Sequence, residues 1–144
     1  MTFIFNEQRS DKPYSLFLGE KLAVQEYTNP RYPKFVQLYE DMEEVRWKDN
    51  EIGLQTEAIQ MKSLSEGNRH LFVSNFQFQI LADSIQGRGP FFLLPYVSAP
   101  ELELTVGSWG SFEQLHSKSY THILRSIFTD PSEILSDKIG RAHV

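Results

Sequence analysis

Apolar residues recur every three or four positions in three stretches of this chain, and that spacing predicts one buried face of an α-helix. The three stretches are residues 34–47, 68–86 and 98–128. Residues 48–66 between the first two are polar and predict a short helical connection. Residues 1–34 are polar and interrupted by prolines, so they predict an arm with little regular structure. The whole chain is therefore predicted to be all-α.

The second predicted helix carries a carboxylate on its apolar face. Phe72, Phe76 and Ile80 are spaced by four residues, and Asp83 continues their stripe one turn later. A carboxylate at such a position is costly unless it is paired, hydrogen-bonded or bound to a metal. The Gly-Arg-Gly-Pro run that begins at Gly87 predicts the end of this helix.

The third predicted helix combines a carboxylate, an imidazole and a phenol on one face. Its stripe steps by three or four residues and consists of Leu102, Val106, Trp109, Glu113, His116, Tyr120, Ile123 and Ile127. Side chains at these spacings meet on a helix. Inward-facing Glu-x-x-His pairs build the carboxylate-bridged dimetal sites of helical bundles. The chain has one such pair, Glu113 and His116. With Asp83 it offers three ligands, which suit one metal ion or one half of a dimetal site.

Composition limits the kinds of site and partner. The chain has no cysteine, which excludes disulfides, thiolate sites and cysteine nucleophiles. Any metal must then be held by His, Asp or Glu, which suits iron, manganese or zinc. A net charge of −5 argues against nucleic acid or an anionic membrane as the main partner. The start lacks a signal-peptide pattern, and no apolar run approaches the roughly 20 residues of a membrane span. The expected location is the cytoplasm.

Each candidate residue also has an ordinary interpretation. A Glu-x-x-His pair is more often an exposed polar pair than a pair of ligands. Asp83 by itself is a helix-end carboxylate, and Tyr120 by itself is a core tyrosine whose hydroxyl finds a partner. Trp47 is by default a core or interface residue. A purely structural helical module therefore stays open at this point, and it predicts no iron binding.

Four short motifs and a tryptophan occur in the order, and at nearly the spacing, of one known family. They are Asp83-Ser84-Ile85-Gln86-Gly87-Arg88, Pro100-Glu101-Leu102-Glu103, Trp109, His116-Ser117-Lys118-Ser119-Tyr120-Thr121-His122-Ile123 and Thr129-Asp130-Pro131-Ser132. Over residues 17–138 the chain resembles the small, radical-generating subunit of class I ribonucleotide reductase, of the aerobic, iron-dependent bacterial and phage type. The resemblance implies a ferritin-like helical bundle that is incomplete, because this chain corresponds to its N-terminal first half only.

The resemblance also implies roles for individual residues. Asp83, Glu113 and His116 look like the first-half ligands of a dinuclear iron centre, with manganese as the alternative metal, and the remaining ligands are missing from this chain. Tyr120 looks like the tyrosine that carries the radical. Trp47 stands where the family has a tryptophan that passes the radical towards the large subunit. The chain departs from the family around these residues at Lys48-Asp49-Asn50-Glu51, Gly110-Ser111, Phe112 and Gln114.

The implied function is that of the small subunit of ribonucleoside-diphosphate reductase. Such a subunit generates a tyrosyl radical at a dimetal centre, and the large (alpha) subunit uses it to reduce ribonucleotides to deoxyribonucleotides for DNA replication. The resemblance implies a homodimer of the full-length protein, located in the cytoplasm or, for a phage gene, in the host cytoplasm. The alternative is a ferritin-like diiron oxidase or iron-storage bundle, which has no need of Tyr120. Alone, this fragment is expected to be inactive.

The last six residues, 139–144, do not continue the sequence of the family. They can be encoded by ATC GGA AGA GCA CAC GTC, which reads like a sequencing-adapter string. We therefore expect a non-native tail on a truncated gene, and a naturally split phage gene is the other explanation. The expected organisation is an N-terminal arm over residues 1–34, the first half of the bundle over residues 35–138, and this tail.

Overall fold

A computed structural model of the chain describes residues 14–19, 21–22 and 24–135, with the backbone alone at residue 133. Its helices in these ranges are α1 (Pro33–Glu44), α2 (Glu57–Ser63), α3 (Glu66–Gln86), α4 (Gly89–Leu93), α5 (Pro100–Ile127) and α6 (Ser132–Leu135). A short 3-10 turn, Leu94–Tyr96, follows α4. None of the helices in the described part of the chain is both long and apolar enough to cross a membrane. The predicted tail, residues 139–144, lies outside the described residues.

The three amphipathic helices predicted from the apolar spacing are confirmed as α1, α3 and α5. α1 ends at Glu44 rather than at Trp47, because the backbone closes a tighter turn there. In that turn the N–H of Arg46 donates to the carbonyl of Glu43 at 3.2 Å. α5 begins at Pro100, where the missing N–H of proline leaves no helical bond unmade. Residues 48–66, predicted to be a short helical connection, contain α2.

The chain forms two compact units, and α5 contributes to both. Of the described residues, one unit comprises those up to residue 46 and residues 87–112, and the other comprises residues 47–86 and 113–135. The second unit contains every residue for which the sequence predicts a role in the site. The domain boundaries expected from the sequence, at residues 34 and 138, stay a prediction.

In the first unit, the arm packs on a small apolar core at the start of α5. The buried residues of this core are Val97, Ala99, Leu102 and Val106. Phe17 forms an isolated antiparallel bridge with Val97, and the N–H of Ser98 donates to the carbonyl of Leu16 at 2.9 Å. The described part of the arm therefore has little regular structure, as predicted, and yet it is packed against the core.

A buried carboxylate, Glu101, joins the arm to the first turn of α5. Its Oε1 accepts hydrogen bonds from the Tyr14 hydroxyl at 2.7 Å and from the N–H of Tyr32 at 3.2 Å. The position suits a carboxylate, because the first turn is the positive end of the helix dipole. Burial raises the pKa of Tyr14, and its hydrogen bond to Glu101 raises it further. These bonds hold two segments distant in sequence at one end of α5.

In the second unit, α3 contacts α6. The side-chain amide of Gln77 in α3 donates to the carbonyl of Ile134 at 2.8 Å. α6 begins after Asp130, whose Oδ1 accepts a hydrogen bond from the N–H of Ser132 at 2.9 Å. The Ser132 hydroxyl donates a second bond to Asp130, and this bond, together with the backbone bond, lowers the pKa of Asp130. The side chain of Asp130 therefore stabilises the start of α6.

α3 is less covered than its apolar stripe predicts. The sequence predicts that this helix buries its Phe72 to Asp83 face, but among its described residues none is fully buried. Three large apolar side chains on another face, Leu71, Phe78 and Ile85, are exposed. The expectation of a fully buried ligand on α3 is thus corrected to a largely buried one, since the side chain of Asp83 is 17% exposed.

The predicted stripe of α5 is wrong at Trp109, whose side chain is 43% exposed. Phe112 and Leu124, which lie off the predicted stripe, are buried instead. Phe112 is covered by the guanidinium of Arg46, whose carbon lies 4.4 Å from the ring centroid. The burial of each residue in α5 depends on which other elements pack over that part of the helix. A stripe of apolar residues in the sequence does not show where those elements lie.

Two glycines of α5 give a matched test of its packing. A Cβ added at Gly107 would meet nothing within 4 Å, whereas a Cβ at Gly110 would lie 2.7 Å from Cζ of Phe91. Replacing a helical glycine with alanine in open space stabilises by about 0.5–1 kcal/mol. We expect Gly107→Ala to raise the free energy of unfolding by that amount, and Gly110→Ala to give no gain, since Phe91 must move. Urea unfolding followed by circular dichroism measures both, and equal gains would contradict the Phe91 contact.

Candidate metal centre

Asp83, near the end of α3, meets Glu113 and His116 of α5. One potential ligand atom from each of the three side chains lies within 4.8 Å of the other two. Nδ1 of His116 is 3.3 Å from Oε2 of Glu113 and 3.9 Å from Oδ2 of Asp83. Among the described residues, this is the one group of three or more His, Asp and Glu side chains with such spacing. The structure therefore brings together the three residues that the sequence singles out as ligands.

The burial and chemistry of this group fit a hard divalent metal. The side chains of Glu113 and Asp83 are 13% and 17% exposed, and that of His116 is 38% exposed. Two carboxylates held close together and away from water repel each other, and a cation between them would relieve this repulsion. Carboxylate oxygens with an imidazole nitrogen, and no thiolate, suit iron or manganese. Three ligands leave open positions, as one half of a dinuclear site requires.

Tyr120 lies one helical turn after His116, beside the carboxylates. Burial raises the pKa of Tyr120, and the charge of Asp83, a hydrogen bond with Asp83 and the charge of Glu113 raise it further. The phenol therefore stays protonated at neutral pH. The ring of Phe76 stands edge-on to that of Tyr120 at a centroid distance of 5.7 Å, and Phe72 packs on Phe76 at 4.6 Å. Phe76 and Phe72, from the apolar stripe of α3, thus pack on the phenol side of α5.

Trp47 contacts the same group from the loop between α1 and α2. Its ring lies 5.2 Å from that of His116, centroid to centroid, with an interplanar angle of 36°. Its Nε1–H donates to Oγ of Ser119 at 3.0 Å. All five site residues predicted from the sequence lie in this one cluster. They are Asp83, Glu113, His116, Tyr120 and Trp47.

Sequence reasoning missed Ser119, the hydrogen-bond partner of Trp47. The residue lies three positions after His116, which is a spacing that places both on one face of a helix. Serine is a poor former of helix interiors, so its presence in the middle of α5 was a weak signal. The partner itself could not be found, because Trp47 and Ser119 are far apart in the sequence.

A helix with Glu-x-x-His, facing a carboxylate from a second helix, is the arrangement of the helical carboxylate–histidine metal proteins. Comparison with known proteins narrows this class. The model of the family described as "Ribonucleotide reductase, small chain" matches residues 25–139. The chain belongs to this family, and the resemblance found in its motifs is confirmed.

Relatives in bacteria and in a phage support this assignment. The chain is 38% identical over 142 residues to the ribonucleoside-diphosphate reductase 1 subunit beta of Escherichia coli O157:H7, and 97% of this chain is covered. It is 35% identical over 141 residues to the subunit beta of Enterobacteria phage T4, with 95% of this chain covered. The chain spans 38% and 36% of the lengths of these two relatives.

A solved structure gives the fold. The chain is similar to the ribonucleotide reductase R2 subunit from Clostridium botulinum, with a TM-score of 0.85 and 24% sequence identity. The match covers 95% of this chain and 45% of that one. The expected all-α, ferritin-like fold is confirmed, and this chain represents part of it.

Proposed function

We propose that this chain serves as part of the small subunit of a ribonucleoside-diphosphate reductase and carries the tyrosyl radical of that enzyme on Tyr120. The observation that carries the proposal is the position of the Tyr120 phenol, which packs edge-on against Phe76 one helical turn after His116, a member of the group with Asp83 and Glu113. The family assignment supports the same function. The reaction class is the reduction of ribonucleotides to deoxyribonucleotides.

In this proposal Asp83, Glu113 and His116 hold one side of a dinuclear iron centre, with manganese as the alternative. When bound, such a centre supplies the oxidising power of dioxygen chemistry. Radical formation removes one electron and one proton from Tyr120, and Asp83 is positioned to accept the proton. Phe76 keeps water from the phenol ring. The other ligands of a dinuclear centre are then supplied from outside the described residues.

Tyr120 also favours the reductase over a ferritin-like oxidase or an iron-storage bundle. An iron store needs carboxylates and imidazoles, but it has no use for a phenol held protonated among aromatic rings. The edge-on ring of Phe76, and the packing of Phe72 on Phe76, are contacts that would protect a radical once it is formed. These contacts support the radical function rather than storage.

The proposal includes the partners and location of the complete enzyme. The large (alpha) subunit receives the radical, and Trp47, which contacts His116, starts the path towards it. The complete small subunit works as a homodimer in the cytoplasm, or in the host cytoplasm if the gene belongs to a phage. Neither nucleic acid nor a membrane is a partner in this proposal.

A chimeric subunit tests the proposal. This chain would replace the aligned 142-residue segment of the Escherichia coli O157:H7 relative, which supplies the rest of the subunit. We expect the purified chimera, loaded with ferrous iron and exposed to air, to show a tyrosyl-radical spectrum. We also expect it to support ribonucleotide reduction with the large subunit of that organism.

The matched control is the same chimera with Glu113→Ala, which should take up less iron and form no radical. A chimera that folds and binds iron fully, yet forms no radical, would show that the proposed function is wrong. Iron content and circular dichroism, measured on each protein, separate this outcome from misfolding.

A further inference from the structure

Tyr14 of the arm and Glu101 of α5 form a phenol–carboxylate pair that the proposed function does not use. The Tyr14 hydroxyl donates to Oε1 of Glu101 at 2.7 Å. Both residues belong to the first unit, whereas the candidate metal centre belongs to the second. A group that accepts a proton directly must lie about 2.6–3.2 Å from the donor atom. The pair therefore has the geometry for direct proton transfer.

A second hydrogen bond orients the hydroxyl of Tyr14. Its oxygen accepts the N–H of Arg31 at 3.3 Å. A hydroxyl has one proton and two lone pairs, so this bond uses a lone pair and leaves the proton for Glu101. The Tyr14 ring also stands edge-on to the ring of Tyr32, at 5.8 Å between centroids. These contacts direct the proton to Glu101 and hold the ring in place.

The carboxylate of Glu101 is suited to take up a proton. The residue is 0% exposed, and its Oε2 has no hydrogen-bond partner among the described residues. Both bonds that it accepts, from Tyr14 and from the N–H of Tyr32, are made by Oε1. A buried negative charge is costly unless it is paired and hydrogen-bonded, and uptake of a proton removes that charge. The unpartnered oxygen shows that hydrogen bonding of this buried group is incomplete.

We propose that Tyr14 is a second oxidisable tyrosine of this chain, whose oxidation passes the phenol proton to Glu101. In this step Tyr14 loses one electron to a one-electron oxidant, its O–H bond breaks, and the proton forms an O–H bond on Oε1 of Glu101. The products are a neutral tyrosyl radical, a neutral carboxylic acid and the reduced oxidant. The step needs no metal in this chain, so the inference stands whether or not the proposed function is correct.

One charge near the pair opposes this step. The guanidinium carbon of Arg31 lies 6.0 Å from the centroid of the Tyr14 ring. A cation at this distance attracts the electrons of an aromatic ring and so disfavours their removal. Arg31 is exposed, however, and solvent screens its charge. Glu101 is buried and bonded directly to the phenol, so we expect its effect to be the larger one.

Flash photolysis of the 144-residue chain tests the inference, with photogenerated tris(bipyridine)ruthenium(III) as the oxidant. Tyr96 and Trp109 are the exposed tyrosine and tryptophan among the described residues, so the reference protein carries Tyr96→Phe and Trp109→Phe. The transient absorbance of the tyrosyl radical gives the rate of oxidation. We expect Tyr14→Phe to remove the fastest phase of radical formation in this protein.

Glu101→Gln separates proton uptake from the structural effect of the hydrogen bond. The side-chain carbonyl of glutamine can still accept the bond from Tyr14, but an amide does not take up the proton. We expect the fastest phase to slow about a hundredfold, the lower end of what a positioned base contributes. The slowed phase should then depend on the concentration of buffer base. In the reference protein it should not, because the proton acceptor is internal.

The matched control is Tyr32→Phe. The Tyr32 hydroxyl donates to the backbone carbonyl of Tyr14 at 2.9 Å, and a backbone carbonyl is too weak a base to take up the proton. The substitution keeps the ring beside Tyr14 and the N–H that bonds to Glu101. The fastest phase should therefore remain, and it should stay independent of buffer.

Heavy water gives a measurement that needs no further substitution. The fastest phase of the reference protein should slow in heavy water, because the proton moves together with the electron. Circular dichroism checks that each variant keeps its helices. A phase that survives Tyr14→Phe, is lost in Tyr32→Phe, or shows no isotope effect would overturn the inference. A folded Glu101→Gln variant with an unchanged rate that is independent of buffer would overturn it as well.

Discussion

Tyr120→Phe is expected to abolish the tyrosyl-radical spectrum of the chimeric subunit while leaving its iron content unchanged. Phenylalanine keeps the ring that packs against Phe76 but removes the hydroxyl, and with it the electron and proton that radical formation takes. The substitution leaves Asp83, Glu113 and His116 unchanged, so the group that would hold the metal stays intact. Electron paramagnetic resonance measures the radical, and a colorimetric iron assay measures the metal.

A second tyrosine gives the control for this experiment. Tyr96 lies outside the cluster and is exposed, so Tyr96→Phe should retain the radical and the iron. Loss of iron together with the radical in Tyr120→Phe would mean that Tyr120 acts on the metal site and has been misassigned. A radical that persists in Tyr120→Phe would place it on another residue.

The second large effect is expected in metal binding by the 144-residue chain itself. We expect the chain to bind one divalent metal ion, and His116→Ala to weaken that binding about a hundredfold. Loss of a residue that only hydrogen-bonds to a metal ligand weakens metal binding about 10–100-fold. A direct ligand contributes at least as much. The two carboxylates left behind, Asp83 and Glu113, would lose their only imidazole partner in the described group. Titration with Mn²⁺, followed by the resonance signal of the free ion, gives both affinities.

The matched control for this titration is His122→Ala. His122 lies on the same helix but is not part of the three-residue group, so its removal should leave the affinity unchanged. Equal weakening by the two substitutions would show that the effect comes from α5 as a whole. Unchanged binding in His116→Ala would remove His116 from the proposed ligands.

The sequence predicted the helices and the three site residues of α5, because both depend on local spacing. Glu113, His116 and Tyr120 occupy one face of α5 through the helical repeat alone. Asp83 could be added because it continues the stripe of Phe72, Phe76 and Ile80 on a second helix. The position of that carboxylate opposite the Glu-x-x-His pair was nevertheless an inference from chemistry and from family resemblance.

The contacts that the sequence did not predict involve residues far apart along the chain or outside the helical stripes. The hydrogen bond from Trp47 to Ser119 joins a loop to a helix, and no periodic pattern marks it. The burial of Glu101 by Tyr14 and Tyr32 depends on how the arm returns to α5. The exposure of Trp109 likewise depends on which elements cover that part of α5.

By itself, the sequence determined the helical class, the approximate bounds of α1, α3 and α5, the family, and the residue types able to hold a metal beside a phenol. These properties follow from local periodicity and short motifs, which each segment carries independently of the others. Only the tertiary structure decided that Asp83 reaches within 4.8 Å of Glu113 and His116, and that Trp47 bonds to Ser119. Such contacts arise when distant segments pack together, and packing depends on every element that meets at a given place.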